Sequence, residues 1–181
     1  MPNRLHLRLP PQRLKAPATD LDYLWSPWRY QYITGATSKP ACIFCDIAKS
    51  SQDEENYVLY RGKHNYVVLN RYPYSSGHLM IVPFEHVSSL SAASPETAAE
   101  MMTFARRSEE CLRAAYRPDG LNIGMNIGAS AGAGVAGHIH LHALPRWSGD
   151  VSFMTAVSET RVLPETLETT YRKLKESCSR W

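Results

Sequence analysis

The chain has 181 residues, 44% of them hydrophobic and 20% charged, with a formal net charge of +3. That length suits one ordinary domain with its own core, and the composition excludes wholesale disorder and fibrous architectures. No apolar run approaches the roughly 18 residues of a membrane span, and the charge is too small to argue for nucleic acid as the main partner.

Residues 1–23 open the chain with Arg4, Arg8, Arg13 and Lys15 among Pro2, Pro10, Pro11 and Pro17. The prolines interrupt any signal-peptide core or long amphipathic helix, so a flexible basic arm and a cytoplasmic protein are expected. A single domain over 24–181 follows, entered through the aromatic segment Leu24-Trp25-Ser26-Pro27-Trp28-Arg29. Tyr57–Gly62 and Tyr66–Asn70 are β-branched and aromatic runs that predict a hairpin, and His78–Pro83 predicts a third strand. Ser94-Pro95-Glu96 opens a helix, with Ser as N-cap, Pro at the first position and an acid in the first turn. Its apolar stripe runs through Ala98, Met101, Ala105, Leu112, Ala115 and Tyr116 until Pro118-Asp119-Gly120 stops it.

A fourth strand is expected over Leu121–Asn126 and a fifth over Gly137–Leu144, joined by the small-residue loop Gly128–Gly137. A last helix follows Pro164 and ends near Cys178. The sum is an α+β fold, an antiparallel five-stranded meander with helices packed on one face. Cys111 and Cys178 read as isolated residues inside helical segments. Cysteines this sparse, without a signal peptide, do not make a secreted disulfide framework.

The most informative stretch is His138-Ile139-His140-Leu141-His142-Ala143. Side chains of an extended strand alternate faces, which puts the three imidazoles on one side about 6–7 Å apart, with Ile139, Leu141 and Ala143 facing a core. Such a row can chelate a metal, or supply a nucleophile or general base near neutral pH. The preceding loop, Asn126 to Gly134, has almost no side-chain bulk, so its backbone N–H groups can approach an anion. A phosphate loop beside a nucleophilic imidazole points to phosphorus transfer. Separately, Cys42-Ile43-Phe44-Cys45 is half of a tetrahedral zinc site or a redox pair.

The His138-x-His140-x-His142 motif with its two following apolar residues resembles the histidine triad (HIT) superfamily of nucleotide hydrolases and transferases. The segments Leu24–Arg29, Leu69–Tyr74, Gly77–Pro83 and Pro145–Phe153 are similar to its bacterial diadenosine tetraphosphate (Ap4A) phosphorylase and hydrolase branch. The resemblance implies that His140 attacks the α-phosphorus and forms an adenylyl-imidazole, a backbone carbonyl holding its Nδ1–H. It further implies that His142 donates to phosphate oxygens and that His138 supports the row. Asn70 would face the ribose, His78 would sit behind the triad, and Asn126 with Ser130, Gly132 and Gly134 would hold phosphates. Related enzymes often carry Gln or Ser where this chain has Gly134, so one side-chain donor is missing.

The resemblance also implies structural zinc on Cys42, Cys45, His86 and His138, no organic cofactor, and a homodimer with a sheet continued across subunits. The expected partners are adenine nucleotides or dinucleoside polyphosphates, with no nucleic acid and no membrane. Two other readings stand beside this one: a nucleotide-binding or signalling module with little turnover, and a metal-dependent enzyme ligated by all three triad histidines.

Overall fold

On the second strand Tyr66 and Val68 face one way and Val67 and Leu69 the other, yet all four are buried. Both faces of the sheet are therefore covered at this strand. The computed structural model describes residues 42–150, 163–178 and Trp181. The basic arm, the Leu24–Arg29 segment and the Val151–Phe153 flank lie outside the described residues.

The strands are β1 (Val58–Arg61), β2 (Asn65–Leu69), β3 (Leu79–Pro83), β4 (Gly120–Gly124) and β5 (Leu141–Arg146). The helices are α1 (Ile43–Lys49), α2 (Pro95–Tyr116) and α3 (Leu167–Ser177). All strand pairs are antiparallel, and the sheet order is β1-β2-β3-β5-β4. The expected α+β fold and five-stranded antiparallel sheet are both present. Only the first three strands form an uninterrupted meander, however. After β3 the chain crosses through the 22 residues of α2, overshoots one position, and folds back through the β4–β5 pair into the gap.

α2 begins as its sequence predicts, Ser94 Oγ accepting the N–H of Thr97 ahead of Pro95. It ends at Arg117, which takes a left-handed conformation with φ of 46°. Met101, Phe104, Ala105 and Leu112 of α2, with Tyr171 and Leu174 of α3, pack on Leu69, Leu79, Ile81, Leu141 and Ala143. This main core lies on one face of the sheet. The short α1 takes the other face, where Phe44 and Ile47, one turn apart, meet Tyr66, Val68, Met80 and Val82. The cysteine knuckle thus opens a helix that covers the second face.

Two residues outside the sequence motifs fix the frame around the site. Arg61 donates to the carbonyls of Ile47, Ala48 and Ser50, capping the C-terminal end of α1, and pairs with Asp53 at 2.8 Å. Glu100 on α2 accepts the backbone N–H groups of Lys63, His64 and Asn65, closing the β1–β2 turn. Trp181 packs on Tyr60 and Phe104, with ring centroids 5.7 Å away in each case.

Candidate active site and metal centre

β5 starts at Leu141, not at Gly137. Its partner β3 ends at Pro83, which has no N–H to extend the ladder, and the Pro83 carbonyl turns to a side chain instead. Nε2–H of His138 donates to it at 2.9 Å. The segment nevertheless stays extended, with Ile139 N–H bonded to the Val87 carbonyl. Ile139, Leu141 and Ala143 enter the main core, while the imidazoles face α1. Phe44 lies against two of them, 5.5 Å from His138 and 4.9 Å from His140 between ring centroids. Phe44 was not singled out by sequence, although its spacing from Ile47 carried the signal.

Hydrogen bonds to groups of fixed polarity assign each ring its tautomer. A carbonyl only accepts, so Nδ1 of His140, 3.0 Å from the His138 carbonyl, carries a proton. Its Nε2 keeps the lone pair. On the other side, the Tyr74 backbone N–H donates to Nδ1 of His78 at 3.1 Å. Nε2–H of His78 then donates to Nδ1 of His142 at 2.9 Å. In the neutral ring this leaves His142 with a proton on Nε2. The His140 and His142 centroids are 4.8 Å apart. One ring thus offers a lone pair and its neighbour a donor.

Burial keeps these rings uncharged. Desolvation, opposed by the bond to the His138 carbonyl, holds the pKa of His140 below the ordinary histidine value. His142 is pushed down to about 4, mainly by desolvation and then by the neighbouring His140.

Asn70 is half-buried, its amide nitrogen 3.4 Å from Nδ1 of His78 and its oxygen accepting from Tyr72 N–H. The next residue, Arg71, lines a cavity against α1 with Ile43, Asp46, Ile47, Ser50 and Asn56. Asn126 lies just past β4 and is half-buried, while Ser130 is exposed on the single turn Ala129–Ala131. Gly128 and Gly132 adopt φ of +85° and +91°, conformations that glycine reaches without strain. Gly134 is exposed in the same loop. Arg146 forms a two-pronged pair with Asp150.

The four residues expected at a zinc site converge. Cys42 Sγ, Cys45 Sγ and one ring nitrogen each of His86 and His138 all lie within 4.8 Å of one another. The Sγ to Nδ1 separations are 3.3 Å for Cys42–His138, 3.2 Å for Cys45–His86 and 3.6 Å for Cys45–His138. Ordinary zinc–sulfur and zinc–nitrogen bonds in a tetrahedron put such atoms about 3.5 Å apart. The His138 bond to Pro83 leaves its Nδ1 lone pair facing the sulfurs. Donor set, spacing and tautomer therefore fit zinc with no open coordination position. The three-histidine metal reading fares differently, because both ring nitrogens of His138 are committed elsewhere, Nδ1 towards the sulfurs and Nε2 to the Pro83 carbonyl.

Residues 51–149 match the HIT domain family. The chain is 40% identical over 168 residues to the AP-4-A phosphorylase of Mycobacterium tuberculosis, covering 88% of this chain and 86% of that protein. This chain belongs to the HIT family. Among solved structures it resembles a zinc-bound histidine triad family protein from Mycobacterium smegmatis, with a TM-score of 0.63 and 32% identity. That likeness covers 77% of this chain and 94% of the other. A histidine triad nucleotide-binding protein from Sulfolobus tokodaii gives a TM-score of 0.62 at 30% identity, covering 76% and 92%. Among the described residues of this HIT protein, no helix is long and apolar enough to cross a membrane.

Proposed function

We propose that this HIT protein is a nucleotidyl hydrolase or transferase that cleaves adenosine polyphosphates such as Ap4A at the α-phosphorus through a covalent adenylyl-His140 intermediate. The observation that carries the reading is the bond from His140 Nδ1 to the His138 carbonyl. It leaves Nε2 as an oriented, uncharged nucleophile. Attack on the α-phosphorus of Ap4A forms an N–P bond and expels ATP, and the acceptor then displaces the imidazole. Water gives AMP; inorganic phosphate gives ADP. The phosphorylase relative favours phosphate as the acceptor. His142, donating from Nε2, stabilises the charge that builds on the phosphate oxygens. Asn70 and the cavity against α1 take the nucleoside, and Asn126 with the Ser130–Gly134 loop takes the phosphates.

Cys42, Cys45, His86 and His138 would hold zinc, which supplies a structural cross-link and no open site for substrate. We place the enzyme in the cytoplasm, acting as a homodimer. Exposed Met102 on α2 and Ile123 on the edge strand β4 support a joined sheet. Incubation with Ap4A, with and without phosphate, followed by rapid quench and mass spectrometry, tests the mechanism. Adenylylated His140 and phosphate-dependent ADP are expected. Full turnover by His140→Ala overturns the reading, and nucleotide binding without any product would make the protein a binding module, as the missing side chain at Gly134 allows.

A further inference from the structure

Cys111 and Cys178 belong neither to the histidine row nor to the zinc cluster, and sequence treats them as unrelated. The fold brings them together. They are joined as a disulfide between α2 and the end of α3, with Cα atoms 5.4 Å apart and 67 residues between them in sequence. Cys111 is 3% exposed and Cys178 is 6% exposed. The two positions differ in their place on their helices. Cys111 sits inside α2, held by packing on both sides, whereas Cys178 is the C-cap residue of α3. Helix ends open before helix interiors, so the sulfur of Cys178 can be reached through loss of one turn.

Besides Tyr171 and Leu174, which pack in the main core, α3 is held by polar contacts along its length. Tyr171 Oη donates to the Val58 carbonyl and Lys175 Nζ to the Leu59 carbonyl. At its start, Glu165 accepts from Tyr116, Thr170 and Lys173. The same first turn matters to the site. Thr166, Leu167 and Thr170 line a cavity of about 240 Å³ together with Asn70, Ser76 and His78. What fixes α3 therefore fixes one wall behind the residue that bonds His142.

We propose that Cys111 and Cys178 form a reversible thiol-modification site, a two-electron couple with low-molecular-weight thiols and their disulfides, that clamps α3 when oxidised. In oxidation the Cys178 thiolate attacks one sulfur of glutathione disulfide and expels a glutathione thiolate. The Cys111 thiolate then attacks the Cys178 sulfur of the mixed disulfide and expels the second glutathione. Two protein thiols lose two electrons, and one glutathione disulfide becomes two thiols. Reduction runs the same steps backwards, beginning with attack of a glutathione thiolate on the Cys178 sulfur once the last turn of α3 opens. Cross-linking residues so far apart in sequence removes open conformations of α3 and leaves the docked one.

The test uses the full chain in zinc-containing buffer, equilibrated with either reduced glutathione or glutathione disulfide. Differential alkylation with peptide mapping reads the bond, and amide hydrogen exchange reads α3. A Cys111–Cys178 linked peptide is expected only in the oxidised sample. Exchange across 167–177 should be at least about tenfold faster in the reduced one, with β2 and β3 unchanged. Cys111→Ser should show the reduced behaviour in both buffers, and Cys178→Ser serves equally if that variant fails to fold. A linked peptide that survives reduced glutathione in the folded protein overturns reversibility. Equal exchange of α3 in both states overturns the clamp. Either result leaves the triad chemistry untouched, since neither reads turnover.

Discussion

The backbone carbonyl of His138 accepts the Nδ1 proton of His140 at 3.0 Å, while the His138 ring stands 3.3 Å from the Cys42 sulfur. One residue thus serves two centres, its side chain among the converging cysteine and histidine donors and its main chain behind the proposed nucleophile. Anything that displaces the His138 ring also moves the carbonyl that sets the tautomer of His140.

Zinc removal should therefore reach the chemistry. We expect about one zinc per chain in the wild type, lost in Cys42→Ser, with turnover down about 10–100-fold, the usual cost of disturbing a group that orients its neighbour. Elemental analysis beside steady-state kinetics measures both. Zinc kept by Cys42→Ser but lost by His140→Ala would contradict the assignment.

In the proposed mechanism His78 acts on substrate through His142, as a positioning residue. His78→Ala removes the donor that holds Nδ1 of His142 at 2.9 Å and lets that ring take either tautomer. The expected result is kcat lowered about 10–100-fold with KM and zinc content little changed. A fall confined to KM would mean that His78 touches substrate instead.

Gly77 holds the loop between Asn70 and His78 against α2. Its φ is +81°, and a Cβ there would lie 2.8 Å from the Tyr116 ring. Gly77→Ala should cost about 1–3 kcal/mol through a strained backbone and should lower kcat by shifting His78. Urea unfolding and kinetics on the same preparation test the pair of effects; an unchanged midpoint refutes the strain.

Stability should decline as the solution is acidified. The folded-state pKa of His142 lies at about 4, against about 6.5 in an unfolded chain. Between those values the unfolded chain binds the proton and the folded one does not, so lowering the pH favours unfolding. Burial of His140 acts in the same direction. Denaturant midpoints measured from pH 7 to pH 4 at fixed zinc should fall across that window. The loss should be smaller in His142→Asn, and an identical slope in that variant would sink the explanation.

Local pattern was readable wherever one residue type dictates its own geometry. The Ser94 cap, the hydrophobic stripe of α2, the strand pairs of the β1–β2 hairpin and the alternation of His138, His140 and His142 all appeared as predicted. The resemblance to the HIT family also placed His86 and His138 beside Cys42 and Cys45, and the donor atoms do converge. Where β5 begins was not readable, because it depends on Pro83 ending the partner strand. Nor was the packing of Trp181 on Tyr60 and Phe104, which depends on closure of the fold.

By itself, then, the sequence determined which imidazoles share a face, because strand alternation is a property of the backbone and needs no partner. It also determined where α2 starts, since a cap is satisfied within three residues. Only the tertiary structure decided that β5 lies between β3 and β4, that Cys111 meets Cys178, and which nitrogen of His78, His138 and His142 carries the proton. Those outcomes turn on groups far apart along the chain: the His138 ring bonds Pro83 across 55 residues, and His142 bonds His78 across 64. No local preference encodes such a meeting; closure of the sheet around its core brings it about.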